Sequence, residues 1–367
     1  MDDLERNVWC LLGLPFDAVT MDETIAKIHH AVKTRKKYFI STPNLNFLIA
    51  SQEDSVFRNS VINSDLSVAD GKPLIWIAHL LNIPLPERVA GSDIIERLVE
   101  NKEGNTPIKV FFFGGEEGIA KKACEKLNAQ EKGLQCVGFY NPGFGSIEEM
   151  STEVIIDNIN QSGADFVIVS LGAKKGQMWI QANKDKLETP VISHLGAVVN
   201  FIAGTVQRAP KLMQKLGLEW IWRVKEEPTL WKRYSGDGMK FLKIAITKIL
   251  PLLILSSLHR PSTTRGCTVI INSNDSAVIN ISGEIRNSDI KDIDNAIRAI
   301  SNAETIVLDL TKVEYFEPTF LAYLQLLRYE LKLKSCDLIV YAALNIRKKF
   351  IYHGCSYLLV KSNYFRN

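Results

Sequence analysis

The chain reads as an α/β protein: a mostly parallel sheet covered by helices on both faces, followed by a smaller α/β domain. Two observations predict this. Between 37 and 197, short apolar runs alternate with amphipathic helical stretches, and the runs are apolar on both faces. Beyond residue 265 a second, independent alternation of strands and helices begins.

In the first domain the strands are KYFIST, LSVAD, IKVFFFGG, DFVIVSLG and PVISHLGA, with helices such as 116–128 and 147–161 between them. Ligands of such sheets sit beyond the carboxyl ends of the strands. Those ends are Thr42-Pro43-Asn44, Ala69-Asp70-Gly71, Gly114-Gly115, Leu171-Gly172-Ala173 and Gly196-Ala197. Residues 239–258 form an amphipathic joint, with Lys240, Lys243 and Thr247 on one side and Ile, Leu and Phe on the rest. Its uncharged run is broken by Pro251 and is too short to span a bilayer, but it can lie in a headgroup layer or pack on a domain. SLHRPSTTRG then reads as a linker. In 266–367, the strands CTVIINS, SAVINISGEI, TIVLDL and DLIVYAA alternate with helical DIKDIDNAIRAISNA and TFLAYLQLLRYELKL.

Composition narrows the function. Apolar residues at 46% and charged residues at 23% are those of a folded chain, and 367 residues suit two domains. A net charge of +3 gives no reason to expect nucleic acid. The six cysteines lie far apart with no CxxC pair, so they are expected to be reduced thiols. The acidic start MDDLERN is unlike a signal peptide.

Asp70 is the candidate catalytic carboxylate. It stands where a strand leaves the sheet, and partial burial would raise its pKa toward the range of a general base; a plain Asp-Gly turn is the alternative. Thr42 and Asn44 offer hydrogen bonds to sugar hydroxyls, or a helix cap. Gly114 and Gly115 let a backbone approach a nucleotide, although the run is neither GxGxxG nor a P-loop. Between 193 and 234, Trp220, Trp222 and Trp231 are interleaved with Lys and Arg. That mixture suits a membrane interface, phosphate oxygens, or an ordinary basic surface helix. The single Asp-x-Asp match, Asp292-Ile293-Asp294, reads as a solvated helix face, so no metal site is expected. Phosphate charge then falls to Lys and Arg.

Jointly, TPNLNFL (42–48), NSDLSVADGKPLIW (63–76), RVAGSD (88–93), FFFGG (111–115), LGAKKGQMW (171–179) and the run from Gly196 to Tyr234 resemble the WecG/TagA/CpsF family, glycosyltransferase family twenty-six, over roughly 8–242. The resemblance implies a Rossmann-like fold and an inverting enzyme needing no metal or other cofactor. Such an enzyme moves a sugar from a UDP-sugar to a polyprenyl-diphosphate-linked saccharide at the inner face of a bacterial membrane. It implies that Asp70 is the base, that Thr42 and Asn44 are the polar pair, and that Arg88 and Asp93 lie on the nucleotide side. It also implies a basic appendage carrying Arg208, Arg223, Lys225 and Arg233 that closes over the diphosphate. The chain departs from the family at G-A-P-K-Q-E-x-W. After Gly172 and Ala173, Lys174 replaces the proline, Lys175 is kept, Gly176 replaces the glutamine and Gln177 the glutamate. Gln177 would therefore have to reach the donor in place of the missing glutamine. Asn200 replaces an acidic residue.

IVLDLTKVEYFEPTFLAYLQLL (306–327) resembles a STAS domain, with Glu317-Pro318 where relatives carry an Asp and a phosphorylatable hydroxyl. A docking module is expected there, binding a protein partner or a second copy. The expected organisation is a glycosyltransferase domain with its basic appendage at 1–238, an amphipathic helix and linker at 239–265, and a STAS-like domain at 266–367. The expected function is transfer of a hexose, N-acetylhexosamine or hexuronic acid in surface polysaccharide assembly, peripheral at the cytoplasmic face of the inner membrane. The alternative is a catalytically impaired scaffold acting through the tail.

Overall fold

The computed structural model describes residues 6–100, 106–226, 228–258, 267–272, 277–300 and 303–360. The linker expected at 259–265 lies outside the described residues. Two compact units form, each from separated stretches of chain: Val19–Trp76 with Leu85–Gly238, and the described parts of Met1–Ala18, Ile77–Pro84 and Met239–Asn367.

In chain order, β1 (Val8–Leu11) and β2 (Leu14–Asp17) make a hairpin turning at Leu12 and Gly13, both at positive φ. Then follow α1 (Met21–Thr34), β3 (Tyr38–Ser41), α2 (Leu45–Glu53), α3 (Ser55–Ile62), β4 (Leu66–Ser67), α4 (Lys72–Leu80) and α5 (Gly91–Glu100). Next come β5 (Ile108–Gly114), α6 (Ile119–Asn128), β6 (Leu134–Tyr140), α7 (Glu153–Gln161), β7 (Phe166–Ser170), α8 (Ala173–Asn183), β8 (Val191–His194) and α9 (Val198–Ala203). The expected appendage is α10 (Lys211–Lys215), α11 (Glu219–Glu226) and α12 (Leu230–Ile244). A π turn at Ala245–Ile249 leads into α13 (Leu250–Leu258), just before Pro251, whose missing N–H cannot continue the ordinary ladder. The chain ends with β9 (Thr268–Asn272), β10 (Ala277–Ile285), α14 (Ile290–Arg298), β11 (Thr305–Phe316), α15 (Pro318–Leu333), β12 (Asp337–Ala342) and α16 (Leu344–Tyr352).

The first unit holds a six-stranded, wholly parallel sheet in the order β4-β3-β8-β7-β5-β6. Alternation along its strands decides which helices cover each face. Ile40, Val110, Phe112, Phe166 and Ile168 pack with α1, α5, α6 and α9. Phe39, Phe111, Phe113, Val167 and Val169 pack with α7 and α8, where the Trp179 indole stacks on Phe113 at 4.1 Å. Both faces are covered, as the continuous apolar runs predict. Because β5 sends its helix to one face and its neighbour β7 to the other, their carboxyl ends flank a crevice.

The second unit is a mixed four-stranded sheet, β12-β11-β10-β9, in which only β9 runs antiparallel. Pro318 opens α15 directly after its cap Glu317. The β1–β2 hairpin belongs here. Val8 and Cys10 join the core of this unit with Phe320 and Leu321. The Thr319 hydroxyl donates to the Val8 carbonyl at 3.0 Å, and Gln325 Nε2 to that of Gly13 at 2.8 Å.

Three expectations change. The hairpin, assigned by sequence to the first domain, packs in the C-terminal unit, because its buried face meets α15. Cys124 and Cys136 form a disulfide: α6 lies along β6 and brings their Cα atoms to 5.2 Å across 12 residues of sequence. Cys10, Cys267, Cys336 and Cys355 are not disulfide-bonded. Asp294 is not on a solvated face; it is buried, accepting from Tyr323 at 3.0 Å and from Arg298 at 2.5 Å.

Candidate active site

The carboxyl ends of β4 and β3 and the first turn of α5 assemble the site. Asp70 follows β4, and Gly71 turns the chain away at φ +147. Its Oδ2 accepts from the Gly91 N–H at 3.4 Å. A side chain at 91 would drive a Cβ to 2.5 Å from Leu195 and 3.6 Å from the Thr42 hydroxyl, so only glycine lets α5 start this close to the sheet. Thr42 is buried beside it.

Arg88 and Asp93 flank that glycine and pair at 2.5 Å, and Arg88 also holds Glu219 of α11. Arg208 completes the group, bonded to Asp93 and Glu96, and to Ser92 at 3.2 Å. Its guanidinium stands 5.9 Å from the Phe201 ring centre, at the rim of a cavity of about 130 Å³ walled by Ile95, Val198 and Phe201. Burial pushes the Asp70 carboxyl up to about 6; Arg88 and the Gly91 N–H oppose this, while Glu219 and Asp93 add to it. Burial works against the Arg88 charge, but Asp93, Glu219 and Asp70 outweigh it and hold the guanidinium above its ordinary pKa. A carboxyl raised into this range can exchange a proton near neutral pH, and Arg88 is the cation that acts on it.

The structure thus brings together Asp70, Thr42, Arg88, Asp93 and Arg208. Asn44 caps α2, accepting from the Phe47 N–H at 3.1 Å. Gly114 and Gly115 both sit at φ +91, and Gly115 N–H donates to the Ser170 carbonyl across the β5–β7 crevice at 2.8 Å. A Cβ on Gly114 would lie 2.8 Å from that same oxygen. Gly172 caps α8 with no side-chain bond, and Lys175 in its first turn donates to the Gly145 carbonyl.

Gln177 does not reach outward. It is fully buried, with Nε2 3.0 Å from the Ser41 hydroxyl. The reason is helical phase: position 177 faces the sheet, beside Trp179 and Ile180. Position 176 packs on His194, whose Nε2–H donates to the Leu171 carbonyl at 2.7 Å; burial lowers the His194 pKa, so the ring is neutral. A Cβ at 176 would meet that ring at 2.1 Å. Here, then, lies the reason for glycine at 176.

Neither Arg223 nor Arg233 joins the Asp70 group among the described residues; Arg233 lies over Tyr234 at 5.3 Å. Lys225 lies over Trp222 at 5.1 Å. The appendage is tied down by other contacts. Gly217 presses on Lys72 and Trp76, Trp222 Nε1 donates to the Gln207 carbonyl at 3.1 Å, and Asn46 donates to Asp237 at 3.0 Å. Glu96 and Glu219 escape a sequence reading that looks for cations in this region. The signal for Glu219 was an acid standing alone before a Trp- and Arg-rich run.

Residues 9–252 match the Glycosyl transferase WecG/TagA/CpsF family. The chain belongs to that family. Two relatives from Staphylococcus aureus, strains MW2 and NCTC 8325 / PS 47, are each named N-acetylglucosaminyldiphosphoundecaprenol N-acetyl-beta-D-mannosaminyltransferase. Each is 25% identical over 241 residues, covering 65% of this chain and 91% of the relative. Among solved structures, the crystal structure of an SsGBP and GDP complex aligns over 69% of this chain and 98% of its own, at 11% identity and a TM-score of 0.20, too loose a likeness to carry an argument. This member of the glycosyltransferase family therefore combines the family's region with the mixed-sheet C-terminal unit. No helix among the described residues is long and apolar enough to cross a membrane.

Proposed function

We propose that the protein is an inverting glycosyltransferase moving a hexose, N-acetylhexosamine or hexuronic acid from a UDP-sugar to a polyprenyl-diphosphate-linked saccharide in surface polysaccharide synthesis. The observation that carries this reading is Asp70: a carboxylate at a strand end, raised to about 6 and acted on by Arg88, whose partner Asp93 also holds Arg208. The relatives' names support the acceptor class, a saccharide on undecaprenyl diphosphate. Asp70 takes the proton from the acceptor hydroxyl as that oxygen attacks the anomeric carbon from the face opposite the nucleotide. The C1–O bond to UDP breaks, and the electron pair leaves on the diphosphate. Arg208 and Arg88 stabilise that charge, an electrostatic role that in other transferases falls to a metal. Thr42 bonds a sugar hydroxyl beside Asp70 in this reading.

The exposed residues of the appendage fit a lipid interface. Leu212, Leu216, Trp220, Ile221 and Trp231 are exposed among Lys and Arg. In the other unit Met239, Leu242, Ile246, Leu250 and Ile254 make an exposed stripe at helical spacing. Peripheral binding at the cytoplasmic face of an inner membrane accounts for both. The STAS-like reading of 266–367 remains part of this proposal, as a module for a protein partner or a second copy.

A scaffold without activity is the competing reading, favoured by the inward turn of Gln177, which leaves no amide from the 172–179 motif at the donor. A panel of UDP-sugars with a lipid-diphosphate saccharide acceptor, read by UDP release, decides between them. Asp70→Asn, which keeps shape and loses the base, should lower turnover about 100- to 10,000-fold. Undiminished turnover in the folded variant removes Asp70 from the mechanism, and no release with any donor favours the scaffold. Turnover surviving EDTA is expected if guanidiniums carry the diphosphate.

A further inference from the structure

Two guanidiniums, Arg88 and Arg208, stand among four carboxylates: Asp70, Asp93, Glu96 and Glu219. Arg208 is taken by Asp93 and Glu96. Arg88 gives one edge to Asp93 at 2.5 Å and the other to Glu219. Among the described residues the Asp70 carboxylate has a single weak bond, from the Gly91 N–H at 3.4 Å. Of the four acids, Glu219 alone comes from the appendage, at the first residue of α11.

We propose that Glu219 is a positioning residue for Asp70: by claiming one edge of Arg88 it denies Asp70 a direct ion pair and keeps that carboxylate a competent proton acceptor. The proposal rests on the reading of Asp70 as the base. A carboxylate paired directly with arginine is held in its charged form and becomes a poor base. The groups around Asp70 are Arg88 and the Gly91 N–H before and at the start of α5, Asp93 within α5, Thr42 at the end of β3, and Glu219 on α11. With Glu219 gone, the Nη1 edge of Arg88 loses its acid and more of the guanidinium's charge acts on Asp70, and one repelling charge has left. Both changes act in the same direction, toward a weaker base.

The arrangement also links docking of the appendage to the chemistry. Glu219 reaches Arg88 because Gly217 allows the chain to press on Lys72 and Trp76, with a virtual Cβ at 2.9 and 3.0 Å from them, and because Trp222 is anchored to Gln207. Asp70 is thereby tuned when α11 is seated, and detuned when it is not.

The test uses the full chain labelled with carboxyl-¹³C aspartate, titrated by NMR, with the Asp70 resonance identified by its loss in Asp70→Asn. The native midpoint is expected at about 6. Glu219→Gln should lower it by roughly half a unit or more, and Glu219→Ala should shift it in the same direction. Glu226→Gln, on the same helix, should leave it in place. The acid limb of kcat/KM for UDP-sugar use should move to lower pH with the NMR midpoint. An unmoved midpoint in both Glu219 variants, with Asp70→Asn inactive, overturns the Glu219 step alone. A fully active Asp70→Asn overturns the base assignment and the proposal with it.

Discussion

Gly176→Ala places one methyl group against His194, and the structure sets the size of the effect. The new Cβ would lie 2.1 Å from His194 Cδ2, 2.9 Å from Cγ and 3.0 Å from Nε2. Ordinary carbon contacts are about 3.5–4.0 Å, so the ring or the helix must move by about 1.5 Å. The ring is not free to yield. It is buried, and its Nε2–H is the donor to Leu171 at 2.7 Å. Overpacking of this kind costs about 1–3 kcal/mol, and a lost buried hydrogen bond costs a similar amount. Alanine in a helix interior recovers about 0.5–1 kcal/mol relative to glycine. The net expectation is a loss of about 1–3 kcal/mol, or roughly 3–10 °C in melting temperature for a unit of this size. Combining it with His194→Ala removes the clash, so the double variant should be more stable than the sum of the two single losses by about 1 kcal/mol or more. Thermal melts of the four proteins by circular dichroism complete the cycle. A Gly176→Ala chain that melts at or above the native temperature, or strict additivity in the double variant, would refute the packing argument.

Arg208→Ala should lower kcat/KM for the donor by about ten- to a hundredfold, the loss of a charge-assisted phosphate contact. Arg223→Ala and Arg233→Ala, outside the Asp70 group, should lower it less; steady-state kinetics that reverse this order would move the diphosphate site toward α11 and α12. A chain ending near Pro261 should bind a dye for exposed apolar surface and self-associate on size exclusion, because Val8 and Cys10 lose the core formed with α15; a monodisperse, dye-silent product would show that the hairpin holds without it. His353 is buried neutral, pulled by burial and by Lys349 from 6.5 to about 3. Between those values the unfolded chain binds the extra proton, so its unit loses stability as pH falls below about 6.5. His353→Asn should flatten that acid limb in denaturation curves, and an identical limb would assign the loss to other groups.

The parallel sheet was legible because both faces of each strand are apolar, and part of the candidate site because strand ends carry it: Asp70 and Thr42 stand at strand ends and needed no long-range information. What escaped depended on partners far away in sequence. The segment VWCLLGLPFD shows no local sign that it serves α15. Cys124 and Cys136 look unrelated until α6 is laid along β6. The same holds for helical phase. The family motif directs Gln177 to the donor and residue type puts Asp294 on a solvated face, yet position 177 faces the sheet and position 294 faces Tyr323. Glu219 was hidden by its basic surroundings, where an acid looks like an interruption and not a ligand for Arg88.

The hairpin's packing on α15 has a consequence for how the protein is made. Thr319, which bonds the Val8 carbonyl, follows that residue by 311 positions. At about 5–20 residues per second, the ribosome delivers it about 15–60 s later. Through that interval the strands Val8–Leu11 and Leu14–Asp17 have emerged without the helix that buries them. The intervening parallel sheet can mature during translation, while the hairpin waits for the last part of the chain. A ribosome stalled before α15 therefore releases a product with an unsheltered apolar β-ribbon, the sort of surface that chaperones and proteases recognise.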